Sequence, residues 1–298
     1  MVGAMVGAWY CHPMIVTAPV VTRFAPSPTG FLHLGHGYSA AFAAAHARDA
    51  GGRFLLRIED IDRGRCRPEY ERAAMEDLAW LGLEWEQPAR RQSDHMADYA
   101  RAIAALSGLG MLYPCFCTRA EIAAEIAAAA RAPHGPDGPR YPGTCRRLSD
   151  AERAKRFADG RPYALRLDVE KAADAAGPLT WTDLDKGAVE IHPETIGDVV
   201  IARKDTPTSY HLAVTVDDQL QGVTLVTRGD DLFRATDVHR LLQALLEFAA
   251  PRYRHHALIA GADGRRLAKR DGAETLRELR ARGLGPDDVR ALMPAEGR

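Results

Sequence analysis

Arg23-Phe-Ala-Pro-Ser-Pro-Thr-Gly30-Phe-Leu-His33-Leu-Gly35-His36 decides the fold. Ahead of it, residues 15–22 are β-branched and apolar, the composition of a buried strand. Behind it, residues 38–48 are rich in alanine and closed by Gly51-Gly52, a helix and its stop. The stretch is therefore a strand-to-helix turn. Pro26 and Pro28 stiffen it, and Gly30 permits close backbone approach or positive φ. Such a turn gathers unpaired N–H groups and the positive end of a helix dipole at one point, which suits phosphate. His33 and His36 would stand there as hydrogen-bond donors. Taken alone, the same residues also describe a stiff loop with two surface histidines, so the surrounding chain has to decide.

Residues 53–58 read as a second strand running into Glu59-Asp60-Ile61-Asp62-Arg63. Strand–helix–strand order implies a parallel βαβ unit whose ligand edge lies at the carboxyl ends of the strands. Both the opening turn and the Glu59 run fall at such ends. Pro68 starts an amphipathic helix with Tyr70, Ala74, Leu78 and Leu81 on one face, and residues 94–109 form another.

Composition shifts at Tyr113. Cys115-Phe-Cys117 is followed by an alanine-rich helix over 119–131, a Pro/Gly loop over 133–139, and Tyr141-Pro-Gly-Thr-Cys145. Ser149 with Glu152 predicts a capped helix, and residues 163–168 and 179–183 alternate like antiparallel strands. Residues 113–197 thus read as an insertion between two halves of a parallel sheet. The second half begins with 198–202, and residues 209–216 and 223–228 follow, both rich in β-branched side chains. An amphipathic helix over 236–249, a short strand over 256–259, a Gly/Arg loop over 261–270 and a helical end over 273–293 complete the chain.

With 298 residues, 46% hydrophobic and 27% charged, the chain has ample material for a core and the balance of an ordinary globular protein. No apolar run reaches the ~18 residues of a membrane span. The formal net charge of -1 leaves any nucleic-acid contact to local basic surface. Five cysteines, an odd and sparse set, argue against a secreted disulfide scaffold. Residues 1–14 read as a loose tail without the features of a signal peptide. A cytoplasmic protein is expected. Cys115, Cys117 and Cys145 are either a soft site suited to zinc or a group of buried free thiols, with His134 in reach as a fourth ligand.

His33-Leu-Gly-His36 resembles the His-Ile-Gly-His signature of class I aminoacyl-tRNA synthetases, and Arg23–Gly30 is similar to the glutamyl/glutaminyl branch. Four further runs resemble that branch in the same order. They are Arg57-Ile-Glu59-Asp60-Ile-Asp62, Ser209-Tyr210 through Asp218, Val226-Thr-Arg228-Gly-Asp230-Asp231 and Arg266-Leu-Ala-Lys269-Arg270. The last departs from the family pattern, with Arg266 for a lysine and Ala268 for a serine.

The resemblance implies an α/β fold: a class I Rossmann-type parallel sheet (15–112 and 198–270), an inserted α+β subdomain (113–197) and a short helical C-terminal end (271–298). It implies ATP at His33, Gly35, His36 and Lys269, with His33, His36 and Lys269 catalytic. It places glutamate at Arg23, Ala25, Ser27, Glu59, Tyr210 and Arg228, with Arg23 and Arg228 on the side-chain carboxylate. An interior ion pair of Arg228 with Asp230 or Asp231 is the competing reading. It points to Tyr141 as the fourth ligand of a structural Zn²⁺ beside Cys115, Cys117 and Cys145, and to Mg²⁺ with ATP. Because only residues 271–298 follow Arg270, the chain is similar to a truncated member of the branch. That member joins glutamate to queuosine in the anticodon of tRNA(Asp), and a monomer with no membrane partner is expected. Charging of a tRNA 3′ end and a non-catalytic tRNA- or glutamate-binding paralogue are the alternatives.

Overall fold

The computed structural model describes residues 19–128, 134–135, 138–259 and 274–295. The chain opens with β1 (Val21–Phe24), α1 (Leu34–Asp49), β2 (Arg53–Ile58), α2 (Pro68–Trp80), β3 (Glu86–Arg91) and α3 (Met96–Gly108). Next come β4 (Leu112–Cys115), α4 (Arg119–Ala128), β5 (His134–Gly135), β6 (Gly138–Pro139), α5 (Asp150–Ala158) and β7 (Ala164–Leu167). They are followed by α6 (Val169–Ala176), β8 (Thr180–Asp183), β9 (Gly187–Glu190), α7 (Pro193–Ile196) and β10 (Val200–Ala202). The last described elements are α8 (Tyr210–Leu220), β11 (Leu225–Gly229), α9 (Ala235–Leu245), β12 (Arg252–His256), α10 (Leu276–Ala281) and α11 (Pro286–Ala291).

β1 pairs in parallel with β2, β2 with β3, and β11 with β12. β1 and β11 lie side by side: Thr224 N donates to Val21 O at 3.0 Å, and Val21 N donates to Thr224 Oγ1 at 2.9 Å. The strand order is therefore β3-β2-β1-β11-β12, a doubly wound sheet that reverses direction between β1 and β11. Ligands of such sheets bind outside the carboxyl ends at that reversal. Here those ends carry Arg23 and Arg228.

Sheet pairing ties residues 113–197 to the segment that follows them. β10, read as the start of the second half, pairs antiparallel with β7, which pairs with β4. The hairpin of β8 and β9 instead extends the main sheet, where β8 lies parallel to β12. Residues 209–216, β-branched in composition, are helical in α8. Ser209 caps the helix by accepting from Leu212 N, and His211 through Asp218 are all buried. Burial on every side overrides the weak intrinsic preference of Val214, Thr215 and Val216. β12 precedes the strand expected over 256–259, and the helical end is two short helices rather than one.

One core cluster joins Val21, Leu55, Tyr99, Leu106, Leu212, Val226 and Leu241 around the sheet. A second joins Leu32, Tyr38, Phe42 and Leu78 to Leu276, Leu279, Val289 and Met293, so α10 and α11 close over α1 and α2. Among the described residues, no helix is long and apolar enough to cross a membrane.

Candidate active site

His33 is the N-cap of α1. Its Nδ1 accepts from Gly35 N at 3.1 Å, and His33 N donates to His36 Nδ1 at 3.2 Å. The two rings lie 3.8 Å apart. With both Nδ1 atoms accepting, the proton of each neutral imidazole sits on Nε2, which makes Nε2 a donor. Gly35 permits this fold: a Cβ there would stand 3.1 Å from the His33 ring. Thr275 bridges to His33, and Leu276 N donates to Leu32 O at 2.8 Å, which ties the C-terminal helices to the same turn.

Beneath the turn lies a buried network of charges. Arg57, fully buried, reaches Asp218 at 2.8 Å, Glu59 at 3.4 Å and Asp217 at 3.8 Å. Arg23 Nε donates to Asp218 Oδ1 at 3.0 Å, and its Nη1 to Thr227 O at 3.2 Å. Burial alone would raise Asp218, but Arg23 and Arg57 outweigh it and hold the carboxyl below its usual value. Glu59 behaves differently. Burial pushes it up to about 7 despite Arg57 and Arg23, and its Oε1 has no hydrogen bond. Oε1 is turned toward Arg57 Nε at 3.4 Å, and the place of Glu59 on the cavity wall lets the carboxylate meet a cationic donor there.

Arg228, 6% exposed, lies next to the end of β11. Its Nε donates to His255 Nε2 at 3.3 Å, its Nη1 to His239 Nδ1 at 3.1 Å and its Nη2 to Thr236 Oγ1. None of these partners is a carboxylate, so the ion pair with Asp230 or Asp231 is not formed. Asp230 takes Lys186 at 2.6 Å instead. Tyr210 opens α8 with its ring edge-on to His239.

A cavity of about 470 Å³ gathers Arg23, Ala25, His33, Gly35, His36, Glu59, Tyr210 and Arg228. Ser27 is not on its wall. It lines a neighbouring cavity of about 180 Å³ that shares Glu59 and Tyr210. Arg23 and Arg228 do reach the same space, but Asp218 already compensates the Arg23 charge. Lys269, with Arg266 and Ala268, lies outside the described residues. Both described ends of its segment meet the cleft: Ile259 lines the cavity, and Thr275 pairs with His33. Sequence reasoning missed Ser39, Thr227 and His256 on the wall, and Thr236, His239 and His255 behind Arg228.

Cys115, Cys117 and Cys145 lie with their sulfurs within 4.8 Å of one another. The sulfurs of Cys117 and Cys145 are 3.4 Å apart, and Tyr141 Oη is 3.4 Å from Cys117. Four tetrahedral ligands at Zn–S distances of about 2.3 Å stand about 3.8 Å from each other, so the group fits zinc. Tyr141 Oη also accepts from Cys145 N at 2.8 Å. Burial pushes Cys117 up to about 12. At Cys145 burial acts the same way, but hydrogen bonds from Tyr141 and Phe116 N hold it below the usual value. A bound Zn²⁺ would deprotonate all three thiols. Nothing is described of the His134 side chain. Cys117 and Tyr141 also line a third cavity, of about 860 Å³, with Arg119, Arg140, Arg166, Arg203 and Lys204, and this space shares Tyr210 with the first.

The family described as tRNA synthetases class I (E and Q), catalytic domain, matches residues 19–292. The chain is 50% identical over 281 residues to the Glutamyl-Q tRNA(Asp) synthetase of Rhodobacter capsulatus, covering 92% of this chain and 99% of that one. It is 46% identical over 277 residues to the protein of the same name from Symbiobacterium thermophilum, covering 90% and 83%. Among solved structures, a glutamate tRNA ligase from Elizabethkingia meningosepticum in complex with its amino acid aligns with a TM-score of 0.72 at 30% identity. That alignment covers 86% of this chain and 53% of the ligase.

Proposed function

Because the chain belongs to the class I glutamyl and glutaminyl tRNA synthetases, we propose that it activates glutamate with ATP and transfers it to queuosine in the anticodon of tRNA(Asp). The observation that carries the first half is the single cavity in which Glu59, Arg228 and the His33–His36 turn converge. Glu59 receives the α-ammonium, Arg228 the side-chain carboxylate and Tyr210 packs over the amino acid. Ala25 and Ser27 border the same substrate. The α-carboxylate of glutamate then attacks the α-phosphorus of ATP. A C–O–P bond forms, the bond to the β-phosphate breaks, and pyrophosphate leaves.

No protein nucleophile is required, since positioning and charge stabilisation carry the step. Nε2–H of His33 and of His36, the N-terminus of α1 with Gly35, and Lys269 hold the phosphates. Mg²⁺ bound with ATP would add to that neutralisation. In the second step a hydroxyl of the queuosine cyclopentenediol attacks the adenylate carbonyl, forming an ester and releasing AMP. The basic cavity beside Tyr210 supports an approach of tRNA from that side, and the names and lengths of the relatives above support the queuosine acceptor. Such an enzyme would work as a monomer in the cytoplasm.

Glutamate-dependent ATP–pyrophosphate exchange without tRNA tests the activation step, and its absence would remove the ligase reading. The exchange should also report Glu59. Its carboxylate must be ionised to hold an ammonium, and in the free protein it titrates at about 7. Glutamate affinity is therefore full above that value and falls as pH drops through it, by up to ~10-fold per pH unit. A Glu59→Gln variant should bind weakly with no such slope. A wild-type affinity that is flat from pH 8 to pH 5.5 would contradict this role.

Purified protein should carry about one zinc per chain through Cys115, Cys117, Cys145 and Tyr141. The metal would hold the strand end of β4 to the 141–145 turn. Elemental analysis and a melting curve in chelator check this: zinc loss should lower the Tm, and Tyr141→Phe should weaken zinc retention. Protein free of zinc that melts unchanged in chelator would exclude the structural role.

A further inference from the structure

Arg228 is held in an unusual way for a buried guanidinium. Its three nitrogens each donate to a neutral acceptor, His255, His239 and Thr236. Those acceptors are themselves fixed. His255 Nδ1 donates to Asp183 Oδ2 at 2.8 Å, which leaves Nε2 bare for Arg228. Asp183 is anchored in turn, because its Oδ1 accepts from the backbone N–H of Asp185 and of Lys186 at 3.0 Å each. His239 Nε2 donates to His211 Nδ1 at 3.1 Å, so its Nδ1 is the bare nitrogen that faces Arg228. Thr236 Oγ1 also lies 3.4 Å from His255 Nε2, closing the ring of contacts. Burial and the nearby Arg228 push His239 well down and His255 to about 4, so both acceptors stay neutral at working pH.

A guanidinium has five N–H bonds, and three are used here. One remains on each terminal nitrogen, the number a carboxylate takes in a bidentate pair. A carboxylate in place of any of the three acceptors would have quenched the charge before substrate arrived. Arg23, by contrast, is compensated by Asp218.

We propose that Asp183, His255, His239 and Thr236 are positioning residues that hold Arg228 through neutral acceptors, keeping its full charge and two N–H bonds for the side-chain carboxylate of the amino acid. The network thereby sets selection of a carboxylate over an amide. This rests on the glutamate reading above. It gives β8, which brings Asp183 to the sheet beside β12, a place in substrate selection.

Asp183→Asn tests it. The Asn oxygen stays bound to the two backbone N–H groups, so its NH₂ group takes the place of Oδ2 and faces His255. Nδ1 of His255 must then accept, its proton moves to Nε2, and that N–H opposes the Nε–H of Arg228. We expect the KM for glutamate in pyrophosphate exchange to rise ~10-fold or more, with kcat and the KM for ATP within about twofold. The preference for glutamate over glutamine should fall with it. Long-range ¹H–¹⁵N spectra should place the His255 proton on Nδ1 in the wild type and on Nε2 in the variant, a change that a merely structural role would not couple to KM. Thr236→Val, isosteric and without an acceptor, should raise the same KM and stands in if Asp183→Asn fails to fold. A glutamate-dependent wild type with an unchanged KM in folded variants, or with the His255 proton on Nε2, overturns the inference alone. A wild type without glutamate-dependent exchange overturns the functional reading and the inference together.

Discussion

Arg228→Met is expected to raise the KM for glutamate in pyrophosphate exchange by ~10²–10³-fold, the effect of losing a buried charge-assisted pair of about 3–4 kcal/mol. The reason lies in what surrounds Arg228. Its three partners are neutral, so under the proposed function the substrate carboxylate would be its counter-charge. A second consequence follows from the same geometry. The wild type buries a guanidinium with no paired carboxylate, a costly arrangement, so methionine of similar length should leave the Tm of the free protein close to its wild-type value. Glutamate at ~100 times its Kd should stabilise the wild type by about 2.7 kcal/mol and the variant hardly at all. A variant that retains wild-type KM and the glutamate-induced thermal shift would remove Arg228 from substrate recognition.

Lys269→Ala should lower exchange at saturating glutamate and ATP by ~10²-fold or more, about 2.7 kcal/mol of transition-state stabilisation. A cation beside the departing pyrophosphate matters most when the charge on that group is growing, so the loss should fall on kcat more than on either KM. Lys269 is a compact point charge suited to this, and it keeps the signature position although Arg266 and Ala268 depart from the family pattern. Of the described residues on either side of its segment, Ile259 lies on the cavity wall and Thr275 pairs with His33. Equal kcat in Lys269→Ala and the wild type would exclude the residue from the chemistry.

The parts of the site that lie on turns were legible in the sequence. Proline, glycine and histidine at 26, 28, 30, 33 and 36 mark the turn between β1 and α1, and Ser149 with Glu152 marks its helix in the same local way. What lies behind the site was not legible, because it is made by long-range contact. Thr236 and His239 read as polar positions of an amphipathic helix, Asp183 as a strand end, and His255 fell just outside the strand expected over 256–259. Only the pairing of β8 with β12 brings Asp183 to His255, and no local pattern encodes that pairing.

One element was missed and another misread, for opposite reasons. β3 carries Glu86, Pro88, Arg90 and Arg91, polar residues tolerated on an edge strand, and so lacked a strand's apolar signature. α8 carries Val214, Thr215 and Val216, which suit strands, yet its Ser209 cap and complete burial make it a helix. The pairing of β10 with β7 was not legible either, since β10 finds its hydrogen bonds in β7 through long-range contact rather than in the parallel sheet.

The most direct test of the proposed transfer supplies radiolabelled glutamate and ATP with tRNA from cells that make queuosine and from cells that do not. The labelled tRNA is then cut by nucleases and the label mapped. Label is expected in the anticodon of queuosine-containing tRNA(Asp), lost on mild base as an ester, and none on unmodified tRNA(Asp). An anticodon tip is single-stranded, and its bases can be splayed into a pocket such as the basic one beside Tyr210. Label on the 3′-terminal adenosine, equal in amount with and without queuosine, would contradict the account and identify an enzyme that charges the tRNA end.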